Sequence, residues 1–277
     1  AKTIHLIGER HSGSNRMFQH LTNCFGNQTM VSDRLSRYKH WFQDEERLRT
    51  STSATSSDMY VVALFRNPYA WVEAMHKRGP HHYPSHRRIG SWMSFVTKPL
   101  MMARTAVDNA MPEEDRFASS ATPAKCIEGF TWNEVNPCHA DNYLNKKDDL
   151  DFPMYELNHR QKDGTPYFRI TDLRADKIKN FMVVKDYQRV KYFRPFQYEA
   201  MVAGGEATNQ LIRELEEATG LKAACAPLHE SPIEQKETKF DKEFVEWMKQ
   251  NVDWEAEGLV GYRKDDVPVA STETVEI

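Results

Sequence analysis

Apolar residues alternate through Thr3-Ile4-His5-Leu6-Ile7, and Met17, Phe18, Leu21 and Phe25 then recur at the spacing of one helix face. The pattern predicts a strand, a turn over Gly8–Asn15 and a helix. A continuous apolar run, Tyr60 to Phe65, is rich in β-branched residues, as expected of a strand covered on both faces of a parallel sheet. Behind it Asn67 is suited to cap a helix and Pro68 to open it, with Trp71, Val72 and Met75 as its apolar stripe. The strand-turn-helix unit thus occurs twice.

Further along, Ser91 to Val96 predicts a short amphipathic helix, and Asp172 a cap for a helix carrying Ile178, Phe181 and Met182. A late strand is expected over Tyr192 to Tyr198. Leu211, Ile212, Leu215 and Ala218 predict a helix closed by Gly220, and Asp241 to Asn251 one carrying Phe244, Val245, Trp247 and Met248. The aromatic-basic group Tyr38-Lys39-His40-Trp41-Phe42 reads as the end of a second strand, and residues 50–57 as a loop. Residues 104–170 have little periodicity and read as a loop-rich region around an acceptor site. No internal repeat is present. The expectation is one α/β domain over residues 1–262, a three-layer α/β/α arrangement with a central parallel sheet, and a tail over 263–277.

Composition narrows the function. The chain has 277 residues and a formal net charge of -3, so nothing global points to nucleic acid, and any electropositive site must be local. No apolar run near the motifs is long enough to span a bilayer. The sequence starts directly on the first strand without a signal-peptide pattern, which fits either the cytoplasm or a Golgi lumen with an anchor outside this segment. Four cysteines lack the paired spacing of a zinc site. Cys126 and Cys138 bracket a short segment in which a bridge would stabilise by about 3 kcal/mol in the chain-entropy model. Cys24 and Cys225 read as buried thiols or as a second bridge. The basic stretch from His76 to Arg88 contains four histidines, but Pro80 and Pro84 break the helical face a metal would need. It reads as a solvated loop or an anion-facing rim, and no metal site is expected.

The candidate chemistry lies in the first turn. In Gly8-Glu9-Arg10-His11-Ser12-Gly13-Ser14-Asn15, glycine lets the backbone curl around an anion while N–H groups and a helix N-terminus point at it. The G-x4-G spacing is that of a nucleotide phosphate loop, but Ser14 and Asn15 stand where Lys and Ser/Thr would bind phosphates and magnesium. ATP or GTP chemistry is disfavoured, whereas a metal-free anion fits. Arg66 is poorly placed for its own helix, whose N-terminal dipole favours negative charge, and a bound phosphate would relieve that mismatch.

These separated elements resemble the sulfotransferase family, which uses 3′-phosphoadenosine 5′-phosphosulfate (PAPS) as sulfuryl donor. Gly8–Asn15 resembles its 5′-phosphosulfate loop, P-K-S-G-T-T. Leu64-Phe65-Arg66-Asn67-Pro68 with Trp71 resembles its 3′-phosphate element. Phe196 to Met201 resembles the late V-R-Y-E-D-L strand, and Val252-Asp253-Trp254-Glu255 with Leu259 to Tyr262 the terminal D-W-E…L-G-Y. The resemblance spans residues 3–262 and implies a P-loop-like fold.

It also implies site residues. Donor binding falls to Arg10, His11, Ser12, Gly13, Ser14, Asn15, Arg16 and Arg66, with product 3′-phosphoadenosine 5′-phosphate (PAP). His11 takes the place of the family's lysine with Arg10 before it, Arg16 that of an adenine-stacking tryptophan, and Ala74 that of a phosphate-binding serine. His40 is the expected base, in a K-x-H-like element, and Lys39 its assistant; Arg10 or His11 supplies the cation at the leaving phosphate. Glu199, Trp41, Trp71 and Trp92 read as structural. The expected activity is in-line, metal-independent sulfuryl transfer to a hydroxyl or amine of a carbohydrate or small metabolite. The rival readings are a scaffold that kept the cradle without catalysis and a nucleotide kinase.

Overall fold

The computed structural model describes residues 1–50, 57–78, 89–98, 167–203, 205–228 and 240–268. The basic stretch after Arg78, most of the loop-rich region, Cys126, Cys138 and the tail beyond residue 268 lie outside the described residues. The architecture is α/β. Strands β1 (Lys2–Gly8), β2 (Met30–Ser32), β3 (Asp58–Phe65) and β4 (Val190–Gln197) form one parallel sheet in the order β2-β1-β3-β4. Helices α1 (Ser14–Phe25), α2 (Glu45–Thr50), α3 (Pro68–Arg78), α4 (Trp92–Thr97), α5 (Ile170–Val183), α6 (Tyr198–Val202), α7 (Gly205–Thr219), α8 (Lys242–Asn251) and α9 (Trp254–Gly258) surround it.

The period of two along the strands decides which helix each face meets. Ile4, Leu6, Tyr60, Val62 and Leu64 are buried with Met17 and Leu21 of α1 and Leu211 and Leu215 of α7. Ile7, Val61, Ala63 and Phe65 are buried with Ile178 and Phe181 of α5 and Val260 and Tyr262 after α9. Both faces of the central strands are therefore covered, as the apolar run in β3 requires. β4 lies at one end of the sheet and carries Pro195, which an edge strand tolerates because it need not donate on its outer side.

The strand order also fixes where a ligand belongs. From β1 the chain goes to one side for β2, then crosses back to the other side for β3. The crevice beyond the carboxyl ends of β1 and β3 is thus a topological switch point, the favoured binding place in open parallel sheets.

Two local expectations change. Tyr38–Phe42 is not the end of a strand: β2 is Met30–Ser32, and the aromatic-basic group follows it as a turn segment whose Lys39 carbonyl accepts from Gly8 N–H at 2.9 Å. Asp172 does not cap α5, which starts at Ile170 after Arg169; the Asp172 carboxylate instead accepts from Arg169 Nε at 3.0 Å in the first turn. Of the two readings for Cys24 and Cys225, the bridge is the one present, a disulfide between α1 and the loop after α7. Other expectations match. Asn67 Oδ1 accepts from Tyr69 and Ala70 N–H at 3.0 and 3.3 Å, Ser91 and Asp241 cap α4 and α8, and Gly220 ends α7 at φ 68°. Among the described residues no helix is long and apolar enough to cross a membrane. Just beyond Tyr262, the Lys264 and Asp266 carbonyls accept from Tyr69 Oη and Asn67 Nδ2 at 2.6 and 2.7 Å, which ties this segment to the start of α3.

Candidate functional site

β1 ends at Gly8, whose backbone lies so close to β3 that an added Cβ would come within 2.8 Å of Leu64 Cβ and carbonyl oxygen. Glu9 N–H continues the sheet by donating to Leu64 O at 3.1 Å. The chain then turns through two left-handed residues, His11 at φ 58° and Gly13 at φ 78°. Histidine in that region costs of order 1–3 kcal/mol and persists only where surroundings impose it. Here Arg66 Nη1 donates to the His11 carbonyl at 3.0 Å and Trp71 Nε1 to the Arg10 carbonyl at 2.9 Å. The second strand-helix junction therefore shapes the first.

Helix α1 then starts with Gly13 at its cap, no capping side chain and no acidic residue in its first turn. Its N-terminal dipole and first-turn N–H groups consequently face the crevice with no acidic side chain of their own turn beside them. A cavity of about 300 Å³ opens there, lined by Arg10, His11, Gly13, Ser14, Asn15, Arg16, His40 and Tyr198. Among the described lining residues there is no carboxylate, and there are two arginines. This is local positive charge in a chain of net negative charge.

Most of the residues expected from sequence meet at this cavity; three stand behind it. Ser12 is fully buried and its hydroxyl donates to the Glu9 carbonyl at 2.6 Å, so the hydroxyl expected on a phosphate is engaged inside the turn. Lys39 is buried, donates to Asn15 Oδ1 at 2.8 Å and pairs with Asp33 at 3.3 Å, reaching the cavity wall through Asn15. Arg66 packs its guanidinium 4.6 Å from the Tyr198 ring centre while holding His11. Arg10 stacks 5.0 Å over Trp41, and Arg16 is exposed at the rim. Glu199 is structural as expected, accepting from Asn67 N–H at 3.0 Å and Tyr262 Oη at 2.6 Å.

His40 is buried, and its Nδ1 lies 2.7 Å from the Gly8 carbonyl. A carbonyl only accepts, so Nδ1 carries the proton and Nε2 keeps its lone pair. Burial, then the Arg10 guanidinium, push the imidazole well below its usual 6.5, so it is neutral at neutral pH. The Lys177 ammonium donates to the His40 carbonyl at 2.8 Å and fixes the backbone.

Two features escaped the sequence. Tyr198, first residue of α6, lines the cavity because β4 ends at the same sheet edge; its position after a late strand was the available signal. Beneath the turn, Arg174 of α5 is 1 % exposed and bonds Glu9 Oε2 at 2.8 Å, Glu257 Oε1 and Oε2 at 2.5 and 2.8 Å, and the Arg66 carbonyl at 2.6 Å. It also packs 4.9 Å over Trp71. One guanidinium thus fastens the turn after β1 to the end of β3. Nothing local marks Arg174, since a single arginine among alternating polar residues reads as solvated.

Burial pushes the Glu9 carboxyl up from 4.5 to about 8, against the pull of Arg174 and with the help of Glu257. An unfolded glutamate releases its proton near 4.5, whereas the folded one keeps it to about 8. Between these values the folded chain holds the extra proton, so this group's contribution is full below the lower value and lost as pH rises through the window. Glu9→Gln is expected to flatten that decline, read from urea midpoints across the window. An unchanged slope would remove Glu9 as its source.

Gly13 gives a second test. A Cβ there would meet Met201 Cε at 2.4 Å and the Tyr198 ring at 2.8 Å, on top of the left-handed φ. Gly13→Ala is expected to cost about 1–3 kcal/mol and to distort the cradle. Wild-type stability and unchanged anion binding would contradict this packing.

No family model matches the chain. Searches of curated proteins and of solved structures likewise return no significant match. The functional reading therefore rests on the residues and their geometry.

Proposed function

We propose that this chain transfers a sulfuryl group from PAPS to a hydroxyl or amine of an acceptor, and that its sheet and helices are a P-loop-like, three-layer α/β/α variant. The observation that carries the reading is the cavity at the switch point, where an uncapped helix N-terminus, a turn with two left-handed residues, Arg10, Arg16 and a neutral buried histidine converge. The fit to a nucleotide phosphosulfate rests on this donor set. Backbone N–H groups and guanidinium donors suit a tetrahedral oxyanion, and Asn15 stands where a phosphate loop for magnesium nucleotides has a hydroxyl.

Bound in the crevice, the donor would supply the sulfuryl group and a phosphate leaving group. The first turn of α1, with Ser14, Arg10 and His11, would hold the phosphosulfate end, and Arg66 the second phosphate. His40 Nε2 would accept the acceptor's proton, with Nδ1–H anchored to Gly8 so that the ring does not rotate. Lys39 would orient Asn15, and Tyr198 would offer a ring face at the wall. The acceptor would be a carbohydrate or small metabolite approaching from the open side.

The test is calorimetric titration of the folded protein with PAP, with ATP as control and EDTA present. Binding selective for PAP is expected. No PAP binding would overturn the reading, and magnesium-dependent ATP binding would favour a kinase. PAP binding without turnover against a broad acceptor panel would favour a scaffold. In the same assay Arg66→Ala is expected to weaken PAP by roughly 10–150-fold, the loss of charge-assisted bonds of about 1.5–3 kcal/mol; unchanged affinity would remove Arg66 from the donor site.

A further inference from the structure

The far end of α1 carries a cluster for which the nucleotide cavity has no use. His20 and Cys24 lie four residues apart, on one helix face, and the loop after α7 brings Cys225 against them. The two imidazole nitrogens of His20 are 3.7 and 4.0 Å from Cys24 Sγ, and one ligand atom from each of the three residues lies within 4.8 Å of the others. On a tetrahedral zinc, a sulfur at about 2.3 Å and a nitrogen at about 2.0–2.1 Å stand about 3.5 Å apart. The His20–Cys24 pair already has close to that separation.

Cys225 is held in place by more than its sulfur. Ala224 N–H donates to the Cys24 carbonyl at 2.8 Å, and Ala223 N–H to Glu216 Oε1 at 2.8 Å. The Gln28 side chain bonds both the N–H and the carbonyl of Lys222. Opening the disulfide therefore leaves the loop attached to α1. Cys24 is buried whereas His20 and Cys225 are half-buried, which shields one sulfur and leaves a side open for an ion and a water.

We propose that reduction of Cys24–Cys225 creates a site for a thiophilic divalent cation, zinc foremost, with His20, Cys24 and Cys225 as ligands and water in the fourth position. A dithiol or phosphine supplies two electrons and is itself oxidised; the S–S bond breaks and two protons from solution complete two thiols. Each thiol releases its proton when the metal binds. Two thiolates, a neutral imidazole and a divalent ion sum to zero charge, which a half-buried place tolerates. The same side chains would then give a covalent link in the oxidised chain and a metal clip in the reduced one.

The test uses the whole chain, oxidised or phosphine-reduced without air, titrated with cobalt(II) and then zinc. The reduced protein is expected to show a sulfur-to-cobalt charge-transfer band, abolished by zinc, that the oxidised protein lacks. His20→Ala keeps both cysteines and the disulfide, and in reduced form should weaken cobalt binding by roughly tenfold or more. Replacing Cys126 and Cys138 with serine should leave the band unchanged. Absence of the band in reduced protein, a band of equal affinity in His20→Ala, or its loss on replacing Cys126 and Cys138 would each overturn the site. A reduced chain that unfolds and takes cobalt regardless of His20 is the second of these outcomes.

Discussion

Arg174→Met is expected to lower folding stability by about 3–5 kcal/mol and to abolish PAP binding. The loss does not come from the strength of the ion pair as such, since taking the Arg174 guanidinium and the Glu257 carboxylate out of water is costly. It comes from what remains: Glu257, 2 % exposed, would keep a buried carboxylate without its guanidinium, and Glu9 would lose the bond that holds the turn. Arg174→Lys separates positioning from stability. Lysine keeps the charge but lacks the planar fork that reaches Glu9, Glu257 and the Arg66 carbonyl together. That variant should fold and bind PAP at least about tenfold more weakly, as expected when charge-assisted bonds are lost. Wild-type affinity in a folded Arg174→Lys protein would show that the network does not set the cradle.

His40→Asn should lower turnover by about 10²–10⁴-fold, the range for removal of a general base, while leaving PAP affinity within a few-fold. Asparagine can still donate to the Gly8 carbonyl in place of Nδ1–H, so the variant tests the proton acceptor and spares the brace. His40→Ala removes both and should also lose stability. Turnover is followed as PAP released from PAPS, with an acceptor drawn from a hydroxyl and amine screen. Because burial and Arg10 hold this imidazole well below 6.5, the wild-type rate should show no inflection near 6.5, where an ordinary histidine titrates. Activity of His40→Asn near the wild-type level would assign the proton to another group.

The parts of the fold legible in sequence were those whose local pattern and tertiary fate agree. β3 reads as a strand covered on both faces, and the structure covers both. α1, α7 and α8 each have one apolar face, and each buries it. Asn67 and Pro68 start α3 by chemistry that needs only neighbours in sequence. What escaped was short or assembled from a distance. β2 is three residues long and partly exposed, too brief to show a period, so the more apolar Tyr38–Phe42 drew the expectation of a strand. α2 is largely charged and has no stripe. At the site, the cavity-facing residues of the turn were legible because glycine and its neighbours carry the backbone chemistry. The bond that the Ser12 hydroxyl makes was not legible, because its acceptor three residues back is brought to it only by the shape of the turn. Arg174 and Tyr198 join from over a hundred residues away, and only the sheet order brings them in.

The link from Arg174 to both Glu9 and Glu257 has a consequence for biosynthesis. The turn after β1 is made before α5 and carries the residues that would hold the phosphosulfate end. Its fastening arrives with α5, and the carboxylate that balances that guanidinium arrives only with α9. A fragment ending between the two would display the complete phosphate-turn sequence above a buried cation lacking its main counter-charge. Ligand competence would therefore be acquired abruptly once α9 is made, and nucleotide retention would report that α9 has closed onto α5.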